Sequence, residues 1–250
     1  MPNHIQNMLL VSGDSTELAK FVSYIKDEDV NDPETGKVKH IDFNKIVPMP
    51  EGIKHSEEST KKEDALYLYC HFNGLIDEAK KLVSPFMTLD RAMMCIMSNF
   101  NSLDKALEYG ESVYKLYLET GATSWYDWSL KNWGTKWNAY NTYVHKNDSS
   151  CFELYFQTAW SGVPGLITKL VKEFPTLQFT YKYADEDMGY NCGEGHSDGD
   201  GDFSFTMVSG GSDEAIALYI ECWQEDEDDF YKDDEGCWHN RQWEWDEDEE

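Results

Sequence analysis

The last quarter of this 250-residue sequence has almost no basic side chains. Residues 185–250 contain 24 Asp and Glu but only 2 Lys and Arg, a net charge of −22, whereas residues 1–184 contain 24 acids and 19 bases, a net charge of −5. The two parts add up to the formal charge of −27. Phosphate recognition depends on Lys and Arg, so this end is not expected to bind nucleic acid directly. A protein with a basic surface is the expected partner.

Long apolar runs are also absent. Runs such as residues 8–11 are far shorter than the roughly 20 residues that a membrane-spanning helix needs, and the N-terminus lacks the basic-then-apolar pattern of a secretion signal. We therefore expect a cytoplasmic protein with no membrane association. The six cysteines form no CxxC pair, which favours reduced thiols over a disulfide framework.

Catalytic and metal-binding signatures are absent as well. The sequence contains no GxSxG, HExxH or GxxxxGK[ST] motif, so we predict no catalytic residues and favour a role other than catalysis. Residues 198–202 alternate Asp with Gly, like the start of a calcium loop. Phe203 and Ser209, however, occupy the positions where an EF-hand requires Gly and Glu. A hairpin turn explains these residues better, and we predict no metal and no cofactor.

The hydrophobic periodicity predicts an α+β fold. Residues 5–11 read as a strand, residues 14–25 as a capped helix, residues 41–47 as a second strand and residues 57–121 as helices. The later elements are a strand at 152–156, a helix at 163–174, a strand at 179–183, a hairpin turning at 198–201 and a helix at 215–222. This order predicts a ferredoxin-like antiparallel sheet with a helical insertion between the second and third strands. An extra C-terminal hairpin and an acidic tail complete the prediction.

The order of the elements and the distribution of charge divide the chain into two parts. We expect one domain over residues 1–222, with the helical insertion at about 57–140, and an acidic, aromatic-rich tail over residues 223–250.

The tryptophan-rich segment 125–143 is a candidate ligand site. Indoles next to lysines can stack on a base while the lysines contact a phosphate. The alternative is that these rings belong to the core, as buried aromatic clusters of large domains usually do. The candidate residues are Trp128, Lys131, Trp133, Lys136 and Trp137.

Four segments of the sequence resemble a known family. Residues 42–50, 127–140, 156–161 and 184–189 are similar to segments of the YubB-like family of plasmid- and phage-borne proteins. The resemblance covers about residues 1–210, in pieces. It implies a ferredoxin-like domain and an origin in a mobile genetic element, and it supplies no catalytic residues because no activity is assigned to the family.

The tail combines acid runs with large aromatic rings, a composition typical of segments that bind basic, partly apolar protein surfaces. The alternative is a solvated tail, or rings that pack back on the domain. The predicted partner-binding residues are Asp226, Glu227, Asp228, Asp229, Trp238, Trp243 and Trp245.

The sequence therefore favours a non-catalytic interaction protein of a phage or plasmid that binds a basic host protein. Such a protein could inhibit a defence or nucleic-acid-processing factor by presenting carboxylates in place of phosphates. The alternative function is small-ligand or nucleotide binding by segment 125–143, with hydrolysis as a further option.

Overall fold

The computed structural model describes residues 2–31 and 38–242. The helices are α1 (Ser15–Ile25), α2 (Phe43–Ile46), α3 (Thr60–Phe72), α4 (Ile76–Leu82), α5 (Leu89–Asn99), α6 (Leu103–Thr120), α7 (Trp125–Asn132), α8 (Pro164–Glu173) and α9 (Asp213–Trp223), with a turn of 3-10 helix at Glu227–Asp229. The strands are β1 (His4–Ser12), β2 (Asp27–Asn31), β3 (Val38–Lys39), β4 (Tyr140–Asn147), β5 (Cys151–Ala159), β6 (Gln178–Asp185), β7 (Gly193–Asp198), β8 (Ser204–Met207), β9 (Phe230–Lys232) and β10 (Trp238–Asn240).

The chain divides into two compact units. The sheet unit is formed within residues 1–48 and 133–250, and the helical unit comprises residues 49–132. Within the described residues, no helix combines the length and the hydropathy that crossing a bilayer requires.

The described part of the sheet unit is built on a six-stranded antiparallel sheet with strand order β4-β5-β1-β6-β7-β8. Leu9 of β1 lies opposite Leu154 of β5 and Tyr181 of β6, so β1 is an interior strand. The chain path β1, α1, β4, β5, α8, β6 follows the β-α-β-β-α-β order of a ferredoxin-like domain. Strands β7 and β8 extend this sheet as an antiparallel hairpin. The ferredoxin-like α+β class and the extra hairpin are thus confirmed.

One face of this sheet carries an aromatic core. Leu9 and Val11 alternate with side chains of the other face and are fully buried. Val11 lies opposite Phe179, and the Phe179 ring is 5.6 Å from that of Phe21 in α1. Phe174, just after α8, contacts Phe21 edge-on at 5.4 Å. These rings therefore join α1 and the end of α8 to the sheet.

The opposite face is partly covered by α9. Ile216, Tyr219 and Cys222 of α9 are buried in a cluster that also contains Ala184 of β6. This packing holds α9, the segment predicted as the last helix, against the sheet.

The second strand of the sheet differs from the prediction. Residues 41–47 contain the one-turn helix α2, because the Asp42 side chain accepts a hydrogen bond from the Asn44 backbone N–H at 3.0 Å. The Val47 N–H then donates to the Phe43 carbonyl at 2.8 Å. The second sheet strand is β4, which follows the helical insertion, so the insertion lies between the first and second strands of this sheet. As an edge strand, β4 has mostly polar residues and a weak period-2 pattern.

The helical unit contains α3 to α7. Helix α6 begins at the predicted cap, where the Ser102 side chain accepts from the Lys105 backbone N–H at 3.3 Å, and ends at Gly121 in the left-handed conformation. Lys62 of α3 is buried, and its ammonium contacts Glu58 at 2.8 Å and Asp127 at 3.3 Å.

Candidate functional site

A cleft of about 790 Å³ lies between α9 and the segment that follows it. We call it the C-terminal cleft. A volume of this size suits a ligand or the side chains of a peptide. Its lining residues are Asp213, Ile216, Ala217, Ile220, Glu221, Glu227, Asp228, Phe230, Trp238 and Arg241.

The second wall of the cleft is formed by residues 227–241 of the tail, which fold back onto α9. Phe230 is buried, with its ring 6.0 Å from that of Tyr219 and edge-on to it. Trp238 packs against the same cluster, and the antiparallel pairing of β9 with β10 holds both rings in one hairpin. Phe230 and Trp238 thus contribute to the core, and their packing places the acidic side chains of Glu227 and Asp228 beside α9.

The rim of the cleft is acidic. Four of its lining residues, Asp213, Glu221, Glu227 and Asp228, are carboxylates, against the single cation Arg241. Ile216, Ala217, Ile220, Phe230 and Trp238 supply the apolar lining. The site therefore combines apolar surface with negative charge.

Tyr219 of α9 belongs to the buried cluster against which Trp238 packs. Burial, together with the nearby carboxylates of Glu225 and Glu186, raises the pKa of Tyr219 to about 12. Burial is the larger cause, because an apolar surrounding disfavours the ionised form of the phenol.

Asp213 and Trp238 of the cleft already contact one cation of the same chain. Lys232 forms an ion pair with Asp213 at 2.5 Å, and its ammonium lies 5.1 Å from the centre of the Trp238 ring. The Trp238 Nε1–H donates to the same Asp213 carboxylate at 3.1 Å. Hydrogen bonds from Lys232 and then Trp238 keep the pKa of Asp213 below its ordinary value. A carboxylate next to the face of an indole therefore holds a cation in this structure.

The predicted partner-binding residues fall into three groups. Glu227, Asp228 and Trp238 line the cleft. Asp226 instead caps the 3-10 turn, and the Asp229 carboxylate accepts from the Gln242 amide at 2.6 Å. The two others, Trp243 and Trp245, lie outside the described residues. The α9 lining was not predicted from the sequence, because its side chains read there only as one more helix.

The tryptophan-rich segment is divided between the two units of the chain. In the helical unit, Trp128 is buried and the Lys131 ammonium donates to the Gly121 carbonyl at 3.2 Å. Lys131 lines a cavity of about 200 Å³ whose lining, among the described residues, includes no indole. In the sheet unit, Trp133 is buried and its Nε1–H donates to the Val47 carbonyl at 2.9 Å. Trp128 and Trp133 are therefore each buried within their own unit.

Lys136 and Trp137 lie at the surface next to the indole of Trp160, which was not among the predicted site residues. The Lys136 ammonium lies 4.6 Å from the centre of the Trp137 ring and 4.9 Å from that of Trp160. Trp137 is 38% exposed and Trp160 is 40% exposed. We call these three residues the Lys136 indole cluster. Trp160 lies in segment 156–161, one of the four segments that resemble the YubB-like family. This resemblance was the sequence feature that could have identified Trp160 as a candidate.

Buried thiols are poor candidates for nucleophiles. Burial raises the pKa of Cys192 to about 11, and burial with a contribution from Glu78 raises that of Cys70 to about 11. The thiolate is the reactive form of cysteine, so these side chains are structural at neutral pH.

A family model agrees with the ferredoxin-like fold of the sheet unit. Residues 139–232 match a family model described as the ferredoxin-like domain in Api92-like protein. The matched segment runs from the start of β4 to the end of β9 and so includes α9. The chain is also similar to the crystal structure of the protein Api92 from Yersinia pseudotuberculosis, with 10% sequence identity and a TM-score of 0.41, over 85% of this chain and 100% of that one. Among curated proteins, none matches this sequence.

Proposed function

We propose that this chain is a non-catalytic interaction protein whose C-terminal cleft binds a basic segment of a partner protein. The observation that carries the proposal is the pairing of an apolar floor with a carboxylate rim in one cleft. An amphipathic segment with Lys or Arg beside an apolar residue satisfies both parts of such a surface.

The charge of the surrounding chain supports this partner. Residues 185–242 contain 18 acids and 2 bases, a net charge of −16. Both bases already contact aromatic rings of the same chain, Lys232 on Trp238 and Arg241 on Tyr231 at 4.6 Å. A field of this sign attracts cationic partners and accelerates their association, and it opposes nucleic acids.

The finer parts of the proposal follow from the same charge. A basic site that normally binds nucleic acid is a natural target for closely placed carboxylates, so the partner we propose is a host defence or nucleic-acid-processing protein in the cytoplasm. The YubB-like resemblance of the four segments supports an origin in a phage or plasmid.

The test uses two variants with the same change of charge. Glu227→Gln with Asp228→Asn neutralises two acids that line the cleft, whereas Asp198→Asn with Asp202→Asn neutralises two exposed acids at the β7–β8 turn, which does not line it. The full chain and both variants are used as bait in bacterial lysate at low and at high salt, and retained proteins are identified by mass spectrometry.

We expect the cleft variant to lose a basic partner that the wild type and the turn variant retain, and we expect high salt to release it. Equal retention by the two variants would place the interaction elsewhere. Retention of no protein at low salt would contradict the proposal as a whole.

A further inference from the structure

The loop that carries Lys136 and Trp137 is fixed on both sides. The Thr135 hydroxyl donates to the Ala159 carbonyl at 2.8 Å and accepts from the Ala159 N–H at 3.1 Å. On the other side, the Asn138 side-chain oxygen accepts from the first N–H of α2 at 2.9 Å. Lys136 and Trp137 are therefore held between two anchor points of the sheet unit.

Trp160 is held outward in an uncommon backbone conformation. Its φ of 71° lies in the left-handed region, which bulky side chains rarely adopt. Two hydrogen bonds hold it there: its N–H donates to the Asn3 carbonyl at 3.0 Å, and its carbonyl accepts from the Asn191 side chain at 3.0 Å. The same Asn191 amide donates to the buried Asp185 carboxylate at 2.8 Å. Residues held in such conformations cluster at binding sites.

A buried polar network supports the turn between β5 and α8. Asn7, Thr158 and Tyr181 are fully buried. The Tyr181 hydroxyl donates to the Asn7 side chain and accepts from the Val163 N–H, each at 2.6 Å. Asn7 donates to the Thr158 hydroxyl at 2.9 Å, and that hydroxyl donates to the Ser161 carbonyl at 2.7 Å. A satisfied network of this kind rigidifies the backbone that it bonds.

The rigid elements thus present two partly exposed indoles with an ammonium between them. Indole faces stack on planar bases, and an ammonium with three N–H donors can contact rings and an anion together. We propose that the Lys136 indole cluster binds a nucleotide-sized ligand, with its base stacked on Trp160 or Trp137 and its phosphate on Lys136. This site differs from the C-terminal cleft and does not depend on the function proposed for it.

The charge of the chain limits the size of this ligand. A polynucleotide would bring many phosphates close to a chain of formal charge −27. A mononucleotide brings only one phosphate, and carboxylates more than about 8 Å away from it are largely screened at physiological salt. The ligand class is therefore a free nucleotide.

The test is isothermal titration calorimetry of the full chain with AMP, GMP, CMP and UMP. We expect saturable binding of at least one monophosphate. The corresponding nucleoside, which lacks the phosphate, and ribose 5-phosphate, which lacks the base, should each bind more weakly by roughly tenfold.

Two variants assign the binding to the cluster. Trp160→Gly removes the indole and suits the left-handed backbone, so the turn is retained, and Lys136→Gln removes the charge without touching the turn. Each should weaken the binding by roughly tenfold. Tyr190→Ala is the control, because Tyr190 is an exposed ring at the neighbouring turn. Absence of binding by all four monophosphates, or equal binding by the wild type and both cluster variants, would overturn the proposal.

Discussion

Gly110 determines how closely two helices of the helical unit approach. A Cβ atom at this position of α6 would lie 2.1 Å from the Ala65 carbonyl oxygen of α3 and 2.8 Å from the Tyr69 Cβ. A backbone carbonyl cannot move aside as a flexible side chain can, so the helices would have to separate. This is the tightest requirement that the described chain places on a helical glycine.

We expect Gly110→Ala to lower the free energy of unfolding by about 3 kcal/mol, because it forces the α3–α6 contact apart. Gly165→Ala is the matched control, since a Cβ on Gly165 of α8 has no atom within 4 Å. The control should change stability by less than about 0.5 kcal/mol. Urea unfolding followed by circular dichroism measures both, and equal midpoints for the two variants would contradict the close contact.

The cysteines should differ in reactivity according to their environment. Cys237 is exposed, whereas burial raises the pKa of Cys70 and Cys192 to about 11. At pH 8 we therefore expect iodoacetamide to label Cys237 more than about tenfold faster than Cys70 or Cys192. Peptide mass spectrometry over time gives the rates, and unfolding in urea should remove the difference. Fast labelling of Cys192 in the folded chain would show that α9 does not cover it.

At the scale of elements, the β9–β10 hairpin has a structural role in addition to its charge. Its Phe230 is 7% exposed and belongs to the same buried cluster as Ile216 and Tyr219 of α9. Deletion of residues 224–250 would remove this packing together with the acids. Loss of binding by such a truncated chain would therefore not separate charge from folding.

Two substitutions make that separation. We expect Phe230→Ala to cost about 3 kcal/mol, since it leaves a cavity against α9. Glu227→Gln should change stability by less than about 0.5 kcal/mol, because its side chain is exposed. Thermal unfolding of the two variants checks the difference. If Phe230→Ala unfolds at the temperature of the wild type, the hairpin does not stabilise α9.

At the scale of the whole molecule, the formal charge of −27 repels itself within the folded chain. Salt screens this repulsion, so we expect the midpoint of thermal unfolding to rise when NaCl is increased from about 10 to about 200 mM. A chain with Asp198, Asp202, Glu227 and Asp228 all neutralised should show a smaller rise. A midpoint that falls with salt would indicate that ion pairs such as Lys182 with Glu221 outweigh the repulsion.

The sequence predicted best those elements whose side chains follow one strict period. Strand β6 and the capped helix α6 were identified in this way, and so was the hairpin that turns at residues 198–201. The predicted strand at residues 41–47 was wrong, because Asp42 caps a short helix in that apolar run. Strand β4 was missed, because its edge position permits polar residues. The α9 wall of the cleft was missed because a helix pattern does not show which later segment packs on it.

The sequence by itself determined the ferredoxin-like class, because the order of helices and strands follows from local patterns. It also determined the scarcity of Lys and Arg in the last quarter and the absence of known catalytic motifs, because both are properties of composition and residue spacing. The tertiary structure alone decided which tryptophans are core and which remain exposed. Trp128 and Trp133 are buried, whereas Trp137 meets Trp160, a residue 23 positions further along the chain, at Lys136. Burial depends on contacts between distant segments, and contacts of the same kind place the β9–β10 hairpin against α9 to form the cleft.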